Sequence, residues 1–193
     1  CNPDQALTQA RRLVLQEKVH FMVGPLCGHE GPAVAQVSKE TGVPLVMDAA
    51  GADNVTKWDR TPTVVRTAIS SSQIGHPFGE YLYKELGLRN VTFIGQDYTF
   101  GHEVTLGAIE TFKALGGKVA RLIWNPIGTK DYGTTVNSIP ADRPILFLPD
   151  ANLGNYVRRQ TGRENMKIWQ GACIVHATFP SRRLAAAKLE YPR

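Results

Sequence analysis

The sequence predicts an α/β protein with parallel sheets, and three observations lead to this prediction. Short apolar runs alternate along most of the chain with segments of helical periodicity. The apolar runs are continuous, as in strands covered on both faces. Several runs end in small residues directly before a helix, as a strand does when it passes into a crossover helix. With 193 residues the chain is long enough for a substantial core, in one domain or in two small lobes.

The first part of the chain contains three predicted strands and three helices. Asn2 is a good N-cap, and Pro3 suits the first helical position. The strand at 63–67 alternates poorly, so we expect it to be buried on both faces. The predicted elements are, in order, a helix at 3–17, a strand at 19–24, a helix at 32–41, strands at 43–47 and 63–67, and a helix at 70–87.

The second part continues the alternation and then loses it. The predicted elements are a strand at 91–95, a helix at 101–115, a strand at 119–124, a Gly/Pro/Thr-rich loop at 125–135, a strand at 145–148, a helix at 151–160 and a strand at 167–170. From Ile174 the pattern is lost, and the helix-like piece at 182–189 has little apolar periodicity. The chain also opens on a helix with no strand before it. We therefore expect a fragment, or a chain from which segments are missing.

The charge is unevenly distributed. The net charge is +5 and the pI is near 9.2, but residues 158–193 carry eight Lys or Arg against two Glu. The remainder is close to neutral and has no basic run with interleaved aromatic residues, so we expect no nucleic-acid partner. No apolar run is long enough to span a membrane, and no signal peptide is recognised.

Five strand ends carry glycine or polar residues and are expected to face one cleft. They are GPLCGHEG at 24–31, Ala49–Gly51, Asp97–Gly101, 149–150 and 170–171. A strand that runs into a helix N-terminus leaves backbone N–H groups pointing into a crevice, which suits an anionic ligand group. We expect this cleft to bind a small molecule and to perform no chemistry on it.

Other kinds of site find little support in the sequence. The sequence Gly-His-Glu occurs at 28–30 and at 101–103, but adjacent helix residues do not share a face, so we expect no metal site. Cys173 with His176 is a conceivable nucleophile and base, but it lies where the pattern is already lost. No signature of a hydrolase, nucleotide-binding or metalloprotease site occurs. We expect no enzyme activity and no cofactor.

Seven motifs follow one another along the chain: CNPDQA at 1–6, VGPLC at 23–27, GVPLV at 42–46, Arg66-Thr67, DYTFGHE at 97–103, Gly116-Gly117 and PIGTKDY at 126–132. In this order they resemble the type I periplasmic binding proteins, most closely the branched-chain amino acid binders and their aromatic-acid-binding relatives. The resemblance covers about residues 1–171. It implies two doubly wound parallel-sheet lobes joined by a hinge, incomplete in this chain. It assigns 1–67 to the N-terminal lobe and 68–171 to the C-terminal lobe, and leaves 172–193 as a tail of uncertain structure.

The resemblance also implies a function and a location. Members capture a solute and present it to the membrane permease of an ABC importer. They are periplasmic, or extracellular and lipid-anchored in Gram-positive bacteria, with the signal peptide removed. The alternative is a ligand-sensing domain of a receptor or regulator with the same fold. Spacing alone leaves Cys1 and Cys27 either bridged or separately buried, whereas the resemblance implies a disulfide between them.

The resemblance implies a carboxylate site at two segments. In the amino acid binders a Ser or Thr just after the position of Cys27 holds the ligand carboxylate; this chain has Gly28 and His29 there, and His29 could supply a hydrogen bond or a positive charge. A second, backbone contact corresponds to Ala49, Ala50 and Gly51.

The facing lobe is expected to supply the other contacts. Tyr98 and Phe100 stand where the family places an aromatic residue that stacks on the ligand. Gln170 aligns near the family's ammonium-binding Glu but is neutral, whereas Asp150 could restore a counter-charge. The ligand class therefore stays open between a branched-chain amino acid and an aromatic acid.

Overall fold

The computed structural model describes residues 1–129, 131–148, 150–172, 178 and 181–191. They form two compact units, Cys1–Gly128 and Thr129–Arg193. The expected lobe boundary after residue 67 lies inside the first unit, and the division into lobes stays a prediction. None of the helices in the described part of the chain has the length and hydropathy to cross a bilayer.

The first unit contains two parallel sheets, which confirms the predicted class. Strands β1, β2 and β3 form one sheet in that order, and β4 pairs with β5. The elements are α1 Pro3–Leu15, β1 Met22–Val23, α2 Gly31–Thr41, β2 Leu45–Met47, β3 Val64–Arg66, α3 Ser71–Lys84, β4 Asn90–Asp97, α4 Thr99–Ala114 and β5 Lys118–Pro126, with 3-10 turns at Gly28–Glu30 and Asp53–Val55.

Local sequence explains where α1 and α2 begin and end. The Asn2 side chain accepts the N–H groups of Asp4 and Gln5 and so caps α1, while Gly42 ends α2 with a φ of 74°. The hydrophobic core around the first sheet combines the inner faces of α1 and α2 with side chains of β1 and β2. Its buried members include Ala10, Met22, Val34, Val37, Leu45, Met47 and Val55.

Two expectations for the first sheet are wrong. Val65 in the middle of β3 is 58% exposed and Val23 in β1 is 61% exposed, so β3 is not buried on both faces. Among the described residues, one face of this sheet carries apolar side chains without a covering layer. The strand expected at 19–24 shortens to β1, because the N–H of Val19 donates to the carbonyl of Leu13 and extends the end of α1.

Helices α3 and α4 pack closely because three glycines stand at their contact. A Cβ atom on Gly75 would lie 2.0 Å from the carbonyl oxygen of Val104, and one on Gly79 would lie 2.2 Å from that of Ala108. Gly107 faces the carbonyl of Ser72 in the same way. The helix backbones therefore meet with no side chain between them.

The second unit is smaller. Its elements are α5 Gly133–Asn137, β6 Ile145–Phe147, α6 Ala151–Thr161, β7 Met166–Ile168 and α7 Ser181–Glu190. β6 and β7 pair in parallel, and Val136, Val157 and Met166 form the buried core. The expected loop at 125–135 is partly wrong, because β5 reaches Pro126 and α5 begins at Gly133. Every residue of α7 is exposed, which accounts for its weak periodicity.

Candidate functional site

The turn after β1 is held to the start of the chain. The structure places Cys1 next to Cys27, with the Cα atoms 5.8 Å apart, and the disulfide between them stays a prediction for the purified protein. The Glu30 carboxylate accepts the backbone N–H of Asn2 at 2.9 Å and that of Cys27 at 3.2 Å. The 3-10 turn that carries Gly28 and His29 is thereby fixed from both sides.

His29 has one ring nitrogen engaged and one unpaired. Its Nε2 lies 3.3 Å from the carbonyl oxygen of Cys1. A carbonyl only accepts, so Nε2 carries the proton. The other nitrogen, Nδ1, is buried and has no hydrogen-bond partner among the described residues. In a neutral imidazole Nδ1 is therefore an acceptor, and it donates only when the ring is protonated.

The backbone of the loop after β2 has its carbonyls occupied and part of its donors unused. Arg66 donates to the carbonyls of Ala50 and Ala52, and the N–H of Ser71 donates to that of Gly51 at 2.8 Å. The N–H of Ala50 donates to Pro25, but those of Gly51 and Ala52 have no partner in the part of the chain that the structure describes. Both residues are buried. Buried, unpaired N–H groups are costly, and an anion is one way to satisfy them.

An aromatic pair lies against the first turn. A Cβ atom on Gly28 would be 3.5 Å from the Cβ of Phe100, so the two backbones are close. The rings of His29 and Tyr98 meet edge to face at 5.8 Å between centroids, and those of Tyr98 and Phe100 are 6.0 Å apart. Burial raises the pKa of Tyr98, so its phenol stays protonated and available as a donor.

The structure thus brings together predicted site residues that are far apart in sequence. Gly28 and His29 meet Tyr98 and Phe100 within the first unit. The loop after β2, which carries Ala50, is connected to the segment before this turn, because the N–H of Ala50 donates to the carbonyl of Pro25. Ala49, in contrast, is exposed. Whether these residues contact a ligand stays a prediction.

A charged network behind the loop was missed by the sequence analysis. Asp53, which is 3% exposed, accepts from Lys57 at 2.7 Å and from the N–H of Ser72 at 3.1 Å. The N–H of Asp53 donates to Glu103 at 2.9 Å. Arg66 was noted only as part of a motif, although a cation inside the apolar run at 63–67 is a signal for a buried partner. Asp53 and Glu103 gave no such signal.

Burial and partners shift the pKa values of this network in opposite directions. Burial alone would raise the pKa of Asp53, but the hydrogen bonds from Lys57 and Ser72 outweigh it and lower the pKa. Burial is the main cause that raises the pKa of Glu103, and the nearby Asp53 adds to the increase. Burial lowers the pKa of Arg66 although both carboxylates oppose it, and its high ordinary value keeps it charged.

The remaining predicted residues belong to the second unit. Asp150 is the N-cap of α6, where its Oδ1 accepts the N–H of Leu153 at 2.8 Å. Gln170 follows β7 and donates from Nε2 to the carbonyl of Ile168 at 3.1 Å. Both placements are explained by local structure, and a ligand role for either residue stays a prediction. Cys173 and His176 lie outside the described residues.

A different concavity lies on the outer side of α2. It has a volume of about 330 Å³ and is lined by residues of α2 together with Val55, Asp59 and Thr61. It contains none of the predicted site residues. Its lining is a mixture of apolar and charged side chains, with Lys39 and Asp59 3.9 Å apart.

Comparison with protein families divides the chain. The family model described as periplasmic binding protein matches residues 1–148. A second model, quinolinate synthetase A protein, matches residues 132–193. The two matches overlap by a short stretch that begins just after the boundary between the compact units.

Solved structures that resemble the chain are solute-binding proteins. One from Rhodopseudomonas palustris HaA2, in complex with p-hydroxybenzoic acid, is 27% identical with a TM-score of 0.73, over 86% of this chain and 47% of that one. One from R. palustris with benzoate has 22% identity and a TM-score of 0.74, over 88% and 48%. A leucine-binding protein from Thermotoga maritima has 20% identity and a TM-score of 0.68, over 100% and 63%.

The curated relatives are quinolinate synthases, the family of the second model. Quinolinate synthase from Synechocystis is 57% identical over 58 residues, which is 30% of this chain and 18% of that protein. Quinolinate synthase from Gloeothece citriformis is 53% identical over the same length. The chain thus spans less than a fifth of these relatives, and about half of the benzoate-binding structures.

Proposed function

Because the chain belongs to the periplasmic binding protein family and has its type I fold, we propose that it is the substrate-binding component of an ABC importer. The family match over residues 1–148 and the solute-binding structures support this role. The partners that follow are a small-molecule ligand and a membrane permease. The family also implies a periplasmic or otherwise extracytoplasmic location, where a bridge between Cys1 and Cys27 would be stable.

We propose a small carboxylic acid as the ligand, and an aromatic acid in the first place. One observation carries this proposal: the unpaired N–H groups at Gly51 and Ala52 lie on a loop tied to the turn that His29 shares with Tyr98 and Phe100. Backbone donors suit a carboxylate, and aromatic rings suit a flat apolar body. Two of the similar structures hold benzoate and p-hydroxybenzoic acid, which agrees with this class.

Thermal denaturation with a panel of acids tests the proposal. Benzoate, 4-hydroxybenzoate and 3,4-dihydroxybenzoate are compared with leucine, isoleucine and valine. A ligand that binds the folded state stabilises it by about 2.7 kcal/mol at one hundred times its Kd. We expect the Tm to rise with the concentration of an aromatic acid. If neither class raises it, the ligand assignment is wrong.

A sensor domain with the same fold is the alternative. The binding site would be the same, and the difference lies in the attached partner. Affinity capture with the full chain separates the two functions: an importer permease supports transport, and a receptor or regulator contradicts it. We also propose that the ligand leaves unchanged, which mass spectrometry of the ligand after prolonged incubation tests directly.

The quinolinate synthase match motivates a narrower proposal about the second unit. At 53–57% identity it is much stronger than the likeness to the binding proteins, but it covers only 18% of those enzymes. We therefore propose no quinolinate synthase activity. We propose that residues 132–193 are a segment of that family joined to a binding unit, in which case Asp150 and Gln170 are not ligand residues.

Two substitutions in the full chain decide this point. Gln170→Ala removes the amide, and Asp150→Ser removes the charge but keeps a good N-cap for α6. If the second unit is a joined segment, the Kd for the ligand is unchanged in both variants. A loss of affinity in either variant would instead support the lobe alignment that placed these residues in the cleft.

A further inference from the structure

The side chain of Glu103 joins two segments of the candidate site. Glu103 lies in the first turns of α4, and its Oε1 accepts the N–H of Asp53 at 2.9 Å. Its second oxygen, Oε2, is buried and makes no hydrogen bond with any described residue. The hydroxyl of Ser71 lies beside the carboxylate as well and lowers its pKa, against the larger effect of burial. The bond to Asp53 joins a helix to a loop separated from it by 50 residues of sequence.

Each end of this contact lies near a group that the proposed function takes as a ligand contact. Phe100 stands three residues before Glu103 on α4, and residues three apart lie on neighbouring positions of one helix face. The N–H groups of Gly51 and Ala52 lie directly before Asp53. The bond from Asp53 to Glu103 thus fixes the distance between the aromatic side and the donor side of the site.

Arg66 holds the same loop from β3. Its guanidinium donates to the carbonyls of Ala50 and Ala52 and to the hydroxyl of Thr56 at 3.0 Å. With these carbonyls occupied, the loop cannot turn over without breaking both bonds. Arg66 sets the orientation of the loop, and Glu103 sets its distance from α4.

The acceptor atom of Glu103 matters more for this contact than its charge does. Burial raises the pKa of its carboxyl group, so the surroundings do not favour the ionised form. The charged groups around it are Asp53, Arg66 and, through Asp53, Lys57, and these are already paired with one another and with the loop. A neutral oxygen acceptor at this position would preserve the bond to Asp53.

We propose that Glu103 is a positioning residue of the ligand site, which keeps the donors of Gly51 and Ala52 at a fixed distance from Phe100. The inference rests on the proposed function, since it takes these groups as ligand contacts. It adds a residue that touches no ligand and acts through the N–H of Asp53. Its substitution therefore affects binding through the geometry of the loop.

Three variants of the full chain test the inference, with the aromatic acid that binds best to the wild type as the probe. Glu103→Ala removes the acceptor, and Glu103→Gln keeps an oxygen at the same place. Glu110→Ala is the matched control, because Glu110 is an exposed carboxylate on the same helix. Loss of a hydrogen bond that positions a ligand group is expected to weaken binding about tenfold. Glu103→Gln restores most of this loss, and Glu110→Ala leaves the Kd unchanged.

Amide hydrogen exchange at Asp53 in the ligand-free variants separates this inference from the proposed function. Faster exchange in Glu103→Ala but not in Glu103→Gln supports the contact, whatever the ligand. If no acid binds the wild type, the proposed function fails, and the exchange data alone show whether Glu103 holds the loop. Unchanged exchange and unchanged affinity in Glu103→Ala overturn the inference. An equal loss of affinity in Glu103→Ala and Glu103→Gln also overturns it, because charge would then be the cause.

Discussion

His29 donates from Nε2 to the carbonyl oxygen of Cys1, at 3.3 Å. This bond decides which nitrogen is left for a ligand, because Nδ1 is buried without a partner among the described residues. A neutral His29 accepts at Nδ1 and cannot donate to a carboxylate there. The sequence predicted a donor or a positive charge at this residue. The geometry adds that a neutral ring suits the hydroxyl of a ligand better than its carboxylate.

Replacement of His29 by alanine is expected to weaken the binding of 4-hydroxybenzoate more than that of benzoate. A hydrogen bond is worth about 1 kcal/mol, so the difference between the two acids is about fivefold. Calorimetric titration of both acids measures it. His20→Ala is the control, since His20 is an exposed histidine that is not among the predicted site residues. Equal losses for both acids would show that Nδ1 does not select the hydroxyl.

Replacement of Phe100 by leucine is expected to change the preference between ligand classes. Aromatic pairs contribute about 0.5–1.5 kcal/mol beyond their buried area, so aromatic acids lose about threefold to tenfold in affinity. Leucine, which makes no ring contact, loses little. The control is Phe21→Leu, since Phe21 is 62% exposed and lies just before β1. A uniform loss for all ligands would mean that Phe100 is part of the packing and not of the ligand contact.

The sequence predicted the helices and the parallel class well because both depend on local patterns. Asn2 and Gly42 fix the ends of their helices through their own side chain or φ angle, which can be recognised without tertiary structure. The burial of β3 could not be predicted in this way. An apolar strand does not reveal whether both of its faces are covered, and Val65 is 58% exposed.

The site was predicted in part for the same reason. Glycines and aromatic residues at strand ends are visible in the sequence, so Gly28 and Phe100 were both selected, and the structure brings them together. The bond from Asp53 to Glu103 depends on how α4 packs against a distant loop, and although Glu103 belongs to the motif at 97–103, no sequence pattern indicates its partner. Long-range polar contacts of this kind follow from packing and not from periodicity.

Loss of the disulfide is expected to destabilise the first unit. The bridge closes a loop between residues 26 positions apart, and closing a loop of this size in the unfolded chain corresponds to about 3.5 kcal/mol of conformational entropy. Cys1→Ser and Cys27→Ser should cost the same, and the double variant no more than either one. Mapping of non-reduced peptides shows whether the two cysteines are linked in the purified protein. Free thiol at both positions would contradict the prediction. If the Tm is compared with and without a reductant, the double variant is the control, because a reductant that acts only on this bridge leaves its Tm unchanged.

Replacement of Gly79 by alanine is expected to disrupt the contact between α3 and α4. The added methyl group would lie 2.2 Å from a backbone carbonyl, and a backbone atom cannot move aside as a side chain does. Overpacking costs about 1–3 kcal/mol, and because the clash is with backbone we expect the upper part of this range, which exceeds the gain of about 1 kcal/mol from better helix propensity. Urea denaturation measures the loss. Gly28→Ala is the steric control, because its added methyl group would lie at an ordinary contact distance of 3.5 Å from the Cβ of Phe100. If Gly79→Ala is as stable as the wild type, the close packing of α3 and α4 is refuted.

Acidification is expected to remove the stabilising effect of Asp53. Hydrogen bonds from Lys57 and Ser72 lower its pKa in the folded state despite the opposing effect of burial. A carboxyl whose folded pKa is depressed adds stability above its ordinary value of 3.8, and this stability is lost as the pH falls through the folded pKa. Asp53→Asn keeps the acceptor for Ser72 but loses the charge facing Lys57, at a cost of about 1–3 kcal/mol near pH 7.

Denaturation at a series of pH values measures this effect. The difference in the free energy of unfolding between Asp53→Asn and the wild type should shrink below pH 3.8. Asp59→Asn is the matched control, since Asp59 is exposed and 3.9 Å from Lys39, and exposed ion pairs contribute little. A difference between Asp53→Asn and the wild type that does not change with pH would show that shape, and not charge, explains the effect of the substitution.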